Sequence, residues 1–383
     1  MLQLTFLGTS AGVPTKQRNV TALAVECLNP YQDPKNAQQN KKGRPWVLID
    51  CGEGTQQQLL RTKLSLHQLL AIAITHVHGD HCYGLPGLLA SAAMSGRTTP
   101  LTIIAPQAIA AYLEAIKSTT ELHLSFAIDF IAIEDILANK NPSAYKHKQS
   151  SVNKKASDES TEHQLTITLD NQHSVAIDIT KLSHRVPSHA FAITQTISQR
   201  VLNTDKLKSQ GITPSKLWGE LQQGQDVYTD AGQRLLSADY VHDNKRRTRI
   251  VVAGDNDTPT CLSAAVKDTN LLIHEATYTT DVLANIQDKT TRLNTNFDPM
   301  HSSAKQIAQF AEKSEINNLI LTHFSARYQS FDEPQSRTAN MGHIRKEAES
   351  VYQGNLWLAE DFAQYRVDGA DNKVDYLGSA RKG

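Results

Sequence analysis

Residues 70–84, LAIAITHVHGDHCYG, join an apolar run to His76, His78, Asp80 and His81, four potential metal ligands within six positions. Whatever fold the chain adopts must bury the apolar body and still leave its tip open to a small polar site. In an extended segment, residues two apart point to the same side, so His76 and His78 can serve one cation together. Gly79 lets the backbone turn, and Asp80 and His81 then face a second point. Two cations about 3.5–4 Å apart can share a hydroxide and clamp a phosphate from both sides.

The same pattern recurs along the chain. VAIDITKLS ends at His184, IVVAG at Asp255 and NLILT at His323. Sheets of the α/β class gather ligands at the carboxyl ends of their strands, so these tips are expected to converge on the histidine cluster. A lone histidine at a strand end is most often a hydrogen-bonded structural residue, and it is the cluster that makes the ligand reading preferable. Five imidazoles and two carboxylates make a nitrogen and oxygen site that favours zinc, with manganese or iron compatible on ligand type.

Strand-like runs alternate with helical ones. LQLTFLG, TALAVECL and WVLIDCGEG are read as strands, TQQQLLRTKLSLHQLL as helix, and LPGLLASAAM as a helix opened by Pro86. SSAKQIAQFAEKS is amphipathic, and Ser303 with Gln306 fits a capping box. Residues 29–45 and 139–163 are polar insertions without enough apolar side chain to repay the cost of ordering. Residues 195–248 are charged and irregular, and 366–383 are read as a frayed C-terminal tail, leaving 1–365 as a single domain. The four cysteines are scattered with no C-x-x-C pair, which fits a reducing compartment. No apolar run reaches the about 18 residues of a membrane span, and the default address is the cytoplasm. Lys+Arg and Asp+Glu both number 39, so any nucleic-acid binding must use local patches rather than a global field.

The H-x-H-x-D-H pattern in THVHGDH resembles the signature of the metallo-β-lactamase superfamily. FLGTSAGVPTKQRNV, IDCGEGTQQQLL, THVHGDHCYGLPGLL, LIHEAT, MHSSAKQIA and LTHFSARY together resemble ribonuclease Z, the tRNA 3′-processing endonuclease family, over residues 2 to 330. The resemblance implies an α/β fold, a four-layer αβ/βα sandwich with a protruding arm within 195–248. It implies one zinc on His76, His78 and His184 and a second on Asp80, His81 and His323, with Asp255 bridging, so two zinc ions per chain. The implied activity is removal of 3′ trailers from precursor tRNA by metal-activated hydroxide, usually as a homodimer.

Within that resemblance, Asp80 also serves as base or orienter of the nucleophile, and His301 supplies the proton to the departing ribose oxygen. On residue type alone, His301 would instead be taken as a helix cap. Glu275 and His274 are candidates for orienting a ligand imidazole, and a buried structural ion pair is the competing reading of Glu275. PTKQRN resembles the loop that meets the acceptor end of tRNA. There Lys16 and Arg18 are expected on phosphates, with Thr15 and Asn19 as neutral hydrogen-bonding groups. Lys206, Lys208 and Lys216 are expected to supply phosphate contacts on the arm, whose affinity would depend on salt. The chain departs from the family pattern at Asn256, at Ala190 and at Ser215 after Pro214. Two other functions remain open at this level: a broader phosphodiesterase or exoribonuclease of the same superfamily, and an inactive RNA-binding subunit.

Overall fold

The short apolar strands assemble into two facing sheets. The computed structural model describes residues 1–29, 44–138, 164–170, 173–292 and 298–381. The two polar insertions therefore lie outside the described residues, apart from Asn29, Arg44 and Pro45.

The first sheet runs in the order Lys373–Ser379, Ala363–Asp368, Leu2–Gly8, Ala22–Cys27, Trp46–Ile49, Leu69–Ala73, Leu101–Ala105 and Ile128–Ala132. The second runs Asn355–Leu358, Asn318–Thr322, Leu271–Glu275, Val241–Ala253, Ser188–Leu202, His173–Leu182 and Gln164–Asp170. Leu4, Phe6, Val47 and Ile49 from one sheet and Phe191, Ile193, Ile250 and Ile273 from the other belong to one apolar layer. The opposite faces are covered by helices. Leu85–Met94 and Gln107–Thr120 pack with Leu48, Ile72 and Ile103, while Ala304–Lys313 and Met341–Glu349 pack with Val251, Leu272 and Leu319. The central strands are thus buried on both faces, which is why they read as continuous apolar runs.

Strand direction places the site. In the first sheet Trp46–Ile49, Leu69–Ala73, Leu101–Ala105 and Ile128–Ala132 are parallel neighbours. In the second, Val241–Ala253, Leu271–Glu275, Asn318–Thr322 and Asn355–Leu358 are parallel as well. His173–Leu182 is antiparallel to Ser188–Leu202, which is itself antiparallel to Val241–Ala253, so His173–Leu182 points the same way as that parallel run. The carboxyl ends that carry His184, Asp255 and His323 therefore share one edge.

Three readings of the sequence need correction. Residues 195–202 and 241–248 are not irregular. They extend a two-stranded ribbon out to the pair Leu202↔Val241. The basic stretch NKRRTR, residues 244–249, lies wholly inside the strand Val241–Ala253, and the Arg249 guanidinium is buried on Asp178 at 2.6 Å. Past Ile197 and Thr248, where the ribbon leaves the sheet, its residues are half-buried or exposed, so no hydrophobic period marks it in the sequence. Beyond it, helices Thr204–Ser209, Lys216–Gln222 and Ser237–Tyr240 close over a separate small core of Leu207, Ile212, Leu221, Val227, Leu235 and Tyr240.

Residues 366–379 are not a frayed tail. Lys373–Ser379 returns along Ala363–Asp368 with Val367 opposite Val374. Val374 joins the inter-sheet core, and the Tyr376 ring lies 5.3 Å from that of Tyr365. Being an edge strand, it leaves Lys373, Tyr376 and Leu377 exposed. Truncation after Gly369 is expected to cost about 2 kcal/mol, the order of one buried aliphatic side chain, read as a lower urea midpoint. An unchanged midpoint would show that the hairpin adds nothing. Finally, TQQQLLRTKLSLHQLL is helical only over Thr55–Leu60, followed by a short 3-10 turn at Leu66–Gln68.

Candidate metal centre

Strand Leu69–Ala73 delivers His76 and His78, and a single helical turn, Gly79–Cys82, presents Asp80 and His81. This turn is held against the strand end at Asp50. Cys51 N–H donates to the His81 carbonyl at 2.8 Å, and Gly84 N–H to that of Cys51 at 2.9 Å. A Cβ on Gly52 would stand 2.3 Å from the Asp80 carbonyl oxygen, so only glycine permits the approach. His323 follows strand Asn318–Thr322 with φ of 56°, a left-handed conformation uncommon for a side-chain-bearing residue. Its carbonyl oxygen lies 2.9 Å from the Thr277 hydroxyl.

The structure brings all seven expected ligands together. His76 Nε2 and His78 Nδ1 are 3.1 Å apart, and His184 Nε2 is 3.3 Å from His78 Nδ1. His81 Nε2 is 3.2 Å from His323 Nε2, and Asp80 Oδ2 lies 3.3 Å from the latter. Asp255 stands between the two groups. Its Oδ2 is 3.5 Å from His76 and 3.7 Å from His184, while its Oδ1 is 3.4 Å from His81 and 3.3 Å from His323.

These contacts make a poor hydrogen-bond network and a good ligand set. Ring nitrogens face one another, and the buried Asp255 Oδ1 has no hydrogen-bond partner. A buried polar atom without a partner is costly, and a cation among these atoms would satisfy them. The ligand atoms of His76, His78, His184 and Asp255 lie within 4.8 Å of one another, as do those of Asp80, His81 and His323. The residues therefore fit a metal-binding centre of nitrogen and oxygen donors.

The other nitrogens of four rings are used outward, which fixes ring orientation. His81 Nδ1 meets Asp50 at 2.7 Å, His184 Nδ1 the Met300 carbonyl at 2.8 Å, His76 Nδ1 the Thr75 hydroxyl at 3.0 Å, and His323 Nδ1 the Thr277 hydroxyl at 3.1 Å. Asp50, Thr75 and Thr277 were not singled out from the sequence. Asp50 carried the same signal as the ligands, a polar residue at the tip of the apolar run WVLI. It also accepts from Thr75 N–H at 2.8 Å.

Electrostatics follow the same division. Burial pushes His76 well below its ordinary pKa, which keeps it a neutral donor. Burial opposes a charged His81, but Asp255 and Asp50 overcome it and raise that group. Burial would also raise Asp80, yet His81 and His323 hold its carboxyl below the usual range. Cys82, beside His81, is pushed up to about 11 by burial and by Asp50, and its thiol points to the Val77 carbonyl. It is not placed as a ligand.

Glu275 and His301 form a second unit at the same edge. His301 Nδ1 lies 3.0 Å from both carboxylate oxygens of Glu275. Glu275 also accepts from the Thr277 hydroxyl, and at 2.7 Å from Asn256 N–H. Burial works against a charged His301, but Glu275 and Asp255 outweigh it and lift the imidazole to about 9. The cap of helix Ala304–Lys313 is Ser303, whose hydroxyl accepts from Gln306 N–H, so His301 is not the cap. Only half of the expected capping box forms, because the Gln306 amide turns to the Asp257 carbonyl.

Other expected residues lie elsewhere. His274 is fully buried between the Glu275 carbonyl and the Asn256 amide and orients no ligand imidazole. Glu275 orients His301 rather than one of the ligands. Arg18, expected on phosphates, is 5% exposed. Its guanidinium donates to the carbonyls of Tyr328 at 2.6 Å and Ser325 at 3.3 Å, stapling its loop to the chain after His323. Thr15 and Asn19 likewise serve their own surroundings, through Arg18 N–H and the Glu53 carbonyl. Lys16, Lys208 and Lys216 are exposed. Lys206 donates to the Asp239 carbonyl and sits over the Tyr240 ring, so it helps close the arm's end.

Two facing sheets with helices outside and a His/Asp cluster at one edge make this a metallo-β-lactamase fold protein. Solved structures agree on the fold. Human tRNase Z, short form, matches with TM-score 0.52 and 22% identity over 94% of this chain and 98% of that one. The metallo-β-lactamase fold protein YhfI from Bacillus subtilis matches with TM-score 0.51 and 15% identity over 94% of this chain and 97% of that one. The chain belongs to the ribonuclease Z family: it is 42% identical to Ribonuclease Z of Marinobacter nauticus over 377 residues, covering 98% of this chain and all of that protein. Ribonuclease Z of Crocosphaera subtropica is 32% identical over 96% of this chain and 98% of its own length. A family model described as Anti-Pycsar protein Apyc1 also matches residues 30–193.

Proposed function

We propose that the protein is a zinc-dependent endoribonuclease that removes 3′ trailers from precursor tRNA. The observation that carries this reading is Asp255, which divides its two oxygens between two complete ligand groups in a chain that aligns end to end with Ribonuclease Z. An inactive RNA-binding subunit would have no need of the intact set.

His76, His78, His184 and Asp255 would hold one cation and Asp80, His81, His323 and Asp255 another, and the pair would supply Lewis-acid charge at the phosphate and lower the pKa of water. The protein's own groups do the rest. Asp80 accepts Gly12 N–H at 2.7 Å through Oδ2, and its ionised carboxylate is placed to orient the attacking water. His301 has Nδ1 committed to Glu275, so Nε2 faces the substrate and gives its proton to the departing ribose 3′-oxygen. The tRNA then ends in a 3′-hydroxyl and the trailer begins with a 5′-phosphate. The exposed Lys16, Lys208 and Lys216 are expected to meet RNA phosphates. Manganese or iron in place of zinc would satisfy the same donors.

A cytoplasmic homodimer is part of this reading, and no helix among the described residues is long and apolar enough to cross a membrane. Cleavage of one trailer-bearing precursor tests it, with a small bis-aryl phosphodiester alongside. The expected result is a single cut leaving a 3′-hydroxyl. Stepwise loss of single nucleotides would favour the exoribonuclease alternative, and turnover of the small diester alone would favour the broader phosphodiesterase. Asp80→Ala is expected to lose most turnover, at least about 100-fold, and to retain less zinc. Trailer removal at the wild-type rate would refute its role.

A further inference from the structure

The rim beside His301 carries an arrangement that takes no part in gripping cations or handling the proton. The Tyr278 carbonyl accepts Ala304 N–H at 2.9 Å, and Tyr278 bridges to Ser303, which fixes it beside the loop of His301. Its ring lies 6.1 Å from that of His301, centroid to centroid, and nearly perpendicular to it at 70°. On the Tyr278 ring rests the Arg327 guanidinium, 5.2 Å from the centroid. Arg327 Nε donates to the Ser325 hydroxyl at 3.3 Å. The residue is exposed, and among the described residues it forms no ion pair.

An exposed arginine ordinarily samples many rotamers, and ordering one costs free energy. Here a ring contact and one hydrogen bond at Nε already hold it. A guanidinium stacked on an aromatic ring keeps its in-plane donors available for a phosphate. The direction of the row adds a polarity. With His301 read as serving the oxygen that leaves, a nucleotide that owns this oxygen and lies along the row meets His301 first and Tyr278 next.

We propose that Arg327, positioned by Tyr278, clamps the phosphate on the 5′ side of the nucleotide that carries the leaving 3′-oxygen. The proposal rests on the endoribonuclease reading. It assigns the clamp to the product tRNA and not to the released trailer.

The test uses full-length, zinc-loaded protein and two ligands: tRNA ending at the cut, and a trailer oligonucleotide bearing a 5′-phosphate. Arg327→Ala is expected to weaken product tRNA about tenfold, the scale of one charge-assisted contact. It should also lower the salt slope by about one and leave trailer affinity where it was. On the precursor, kcat/KM should fall chiefly through KM, and by about tenfold more than on a bis-aryl diester. Tyr278→Phe, which keeps the ring, should bind product more tightly than Tyr278→Leu, and Tyr278→Leu should add little to Arg327→Ala.

Unchanged product affinity and salt slope in Arg327→Ala would overturn the proposal. So would a loss confined to the trailer, which would put the clamp on the other side of the cut. Equal losses on precursor and small diester would also overturn it, making Arg327 a prop of the centre. Wild-type protein that fails to cut the precursor would instead refute the underlying endoribonuclease reading.

Discussion

His301→Ala is expected to slow trailer removal by about 100- to 10,000-fold in kcat, the range of a positioned general acid, while zinc content stays at the wild-type level. Among the described residues the ring's hydrogen bonds are made at Nδ1, the shortest to a Glu275 carboxylate that is 1% exposed and fixed by Asn256 N–H and Thr277. That partner favours the protonated ring despite burial. A ribose alkoxide is a poor leaving group, so losing the proton donor should be costly with RNA. A nitrophenolate leaves without a proton, so the same variant should lose far less on a bis-nitrophenyl phosphodiester. Equal losses on both substrates would show that His301 supports the centre rather than the leaving oxygen. Glu275→Gln should follow His301→Ala in direction with a smaller loss, since the amide still accepts from Nδ1–H without favouring its charge.

Asp255→Asn is expected to reduce bound zinc below two per chain and to lower kcat/KM by about 1,000-fold or more, several kcal/mol of lost charge stabilisation. The reasoning is geometric. One oxygen serves His76 and His184 and the other serves His81 and His323, so a single substitution weakens both groups. An amide keeps the shape but presents one oxygen and no charge. The variant should also gain less thermal stability from added zinc, because binding to the folded state alone raises stability only as far as affinity allows. Two tightly held zinc ions and unimpaired trailer cleavage in Asp255→Asn would remove the bridging role.

Much of this centre was legible in the sequence because strand and ligand are adjacent there. AIAIT leads into His76, and NLILT ends on His323. Parallel strands bring such tips to one edge whatever their separation along the chain. Asp50 stands at the tip of WVLI in the same way, but alone, without the neighbouring histidines that mark the cluster. Thr75 and Thr277 gave no signal, since a hydroxyl that orients an imidazole looks like any strand threonine.

Arg18 was misjudged for a related reason. Charge in a polar loop suggests solvent, and only the packing of that loop on Tyr328 and Ser325 shows the guanidinium turned inward. The ribbon and the final hairpin were missed because both are wet on at least one face, and hydrophobic period reports burial rather than pairing.

The far end of the ribbon has an apolar nucleus of its own, joined to the body by two strands. On the proposed endoribonuclease reading, selection could rewrite what that end grips without disturbing the centre: exchanging residues 203–240 for those of a relative should transplant preference among RNAs while the cutting step keeps its own pace.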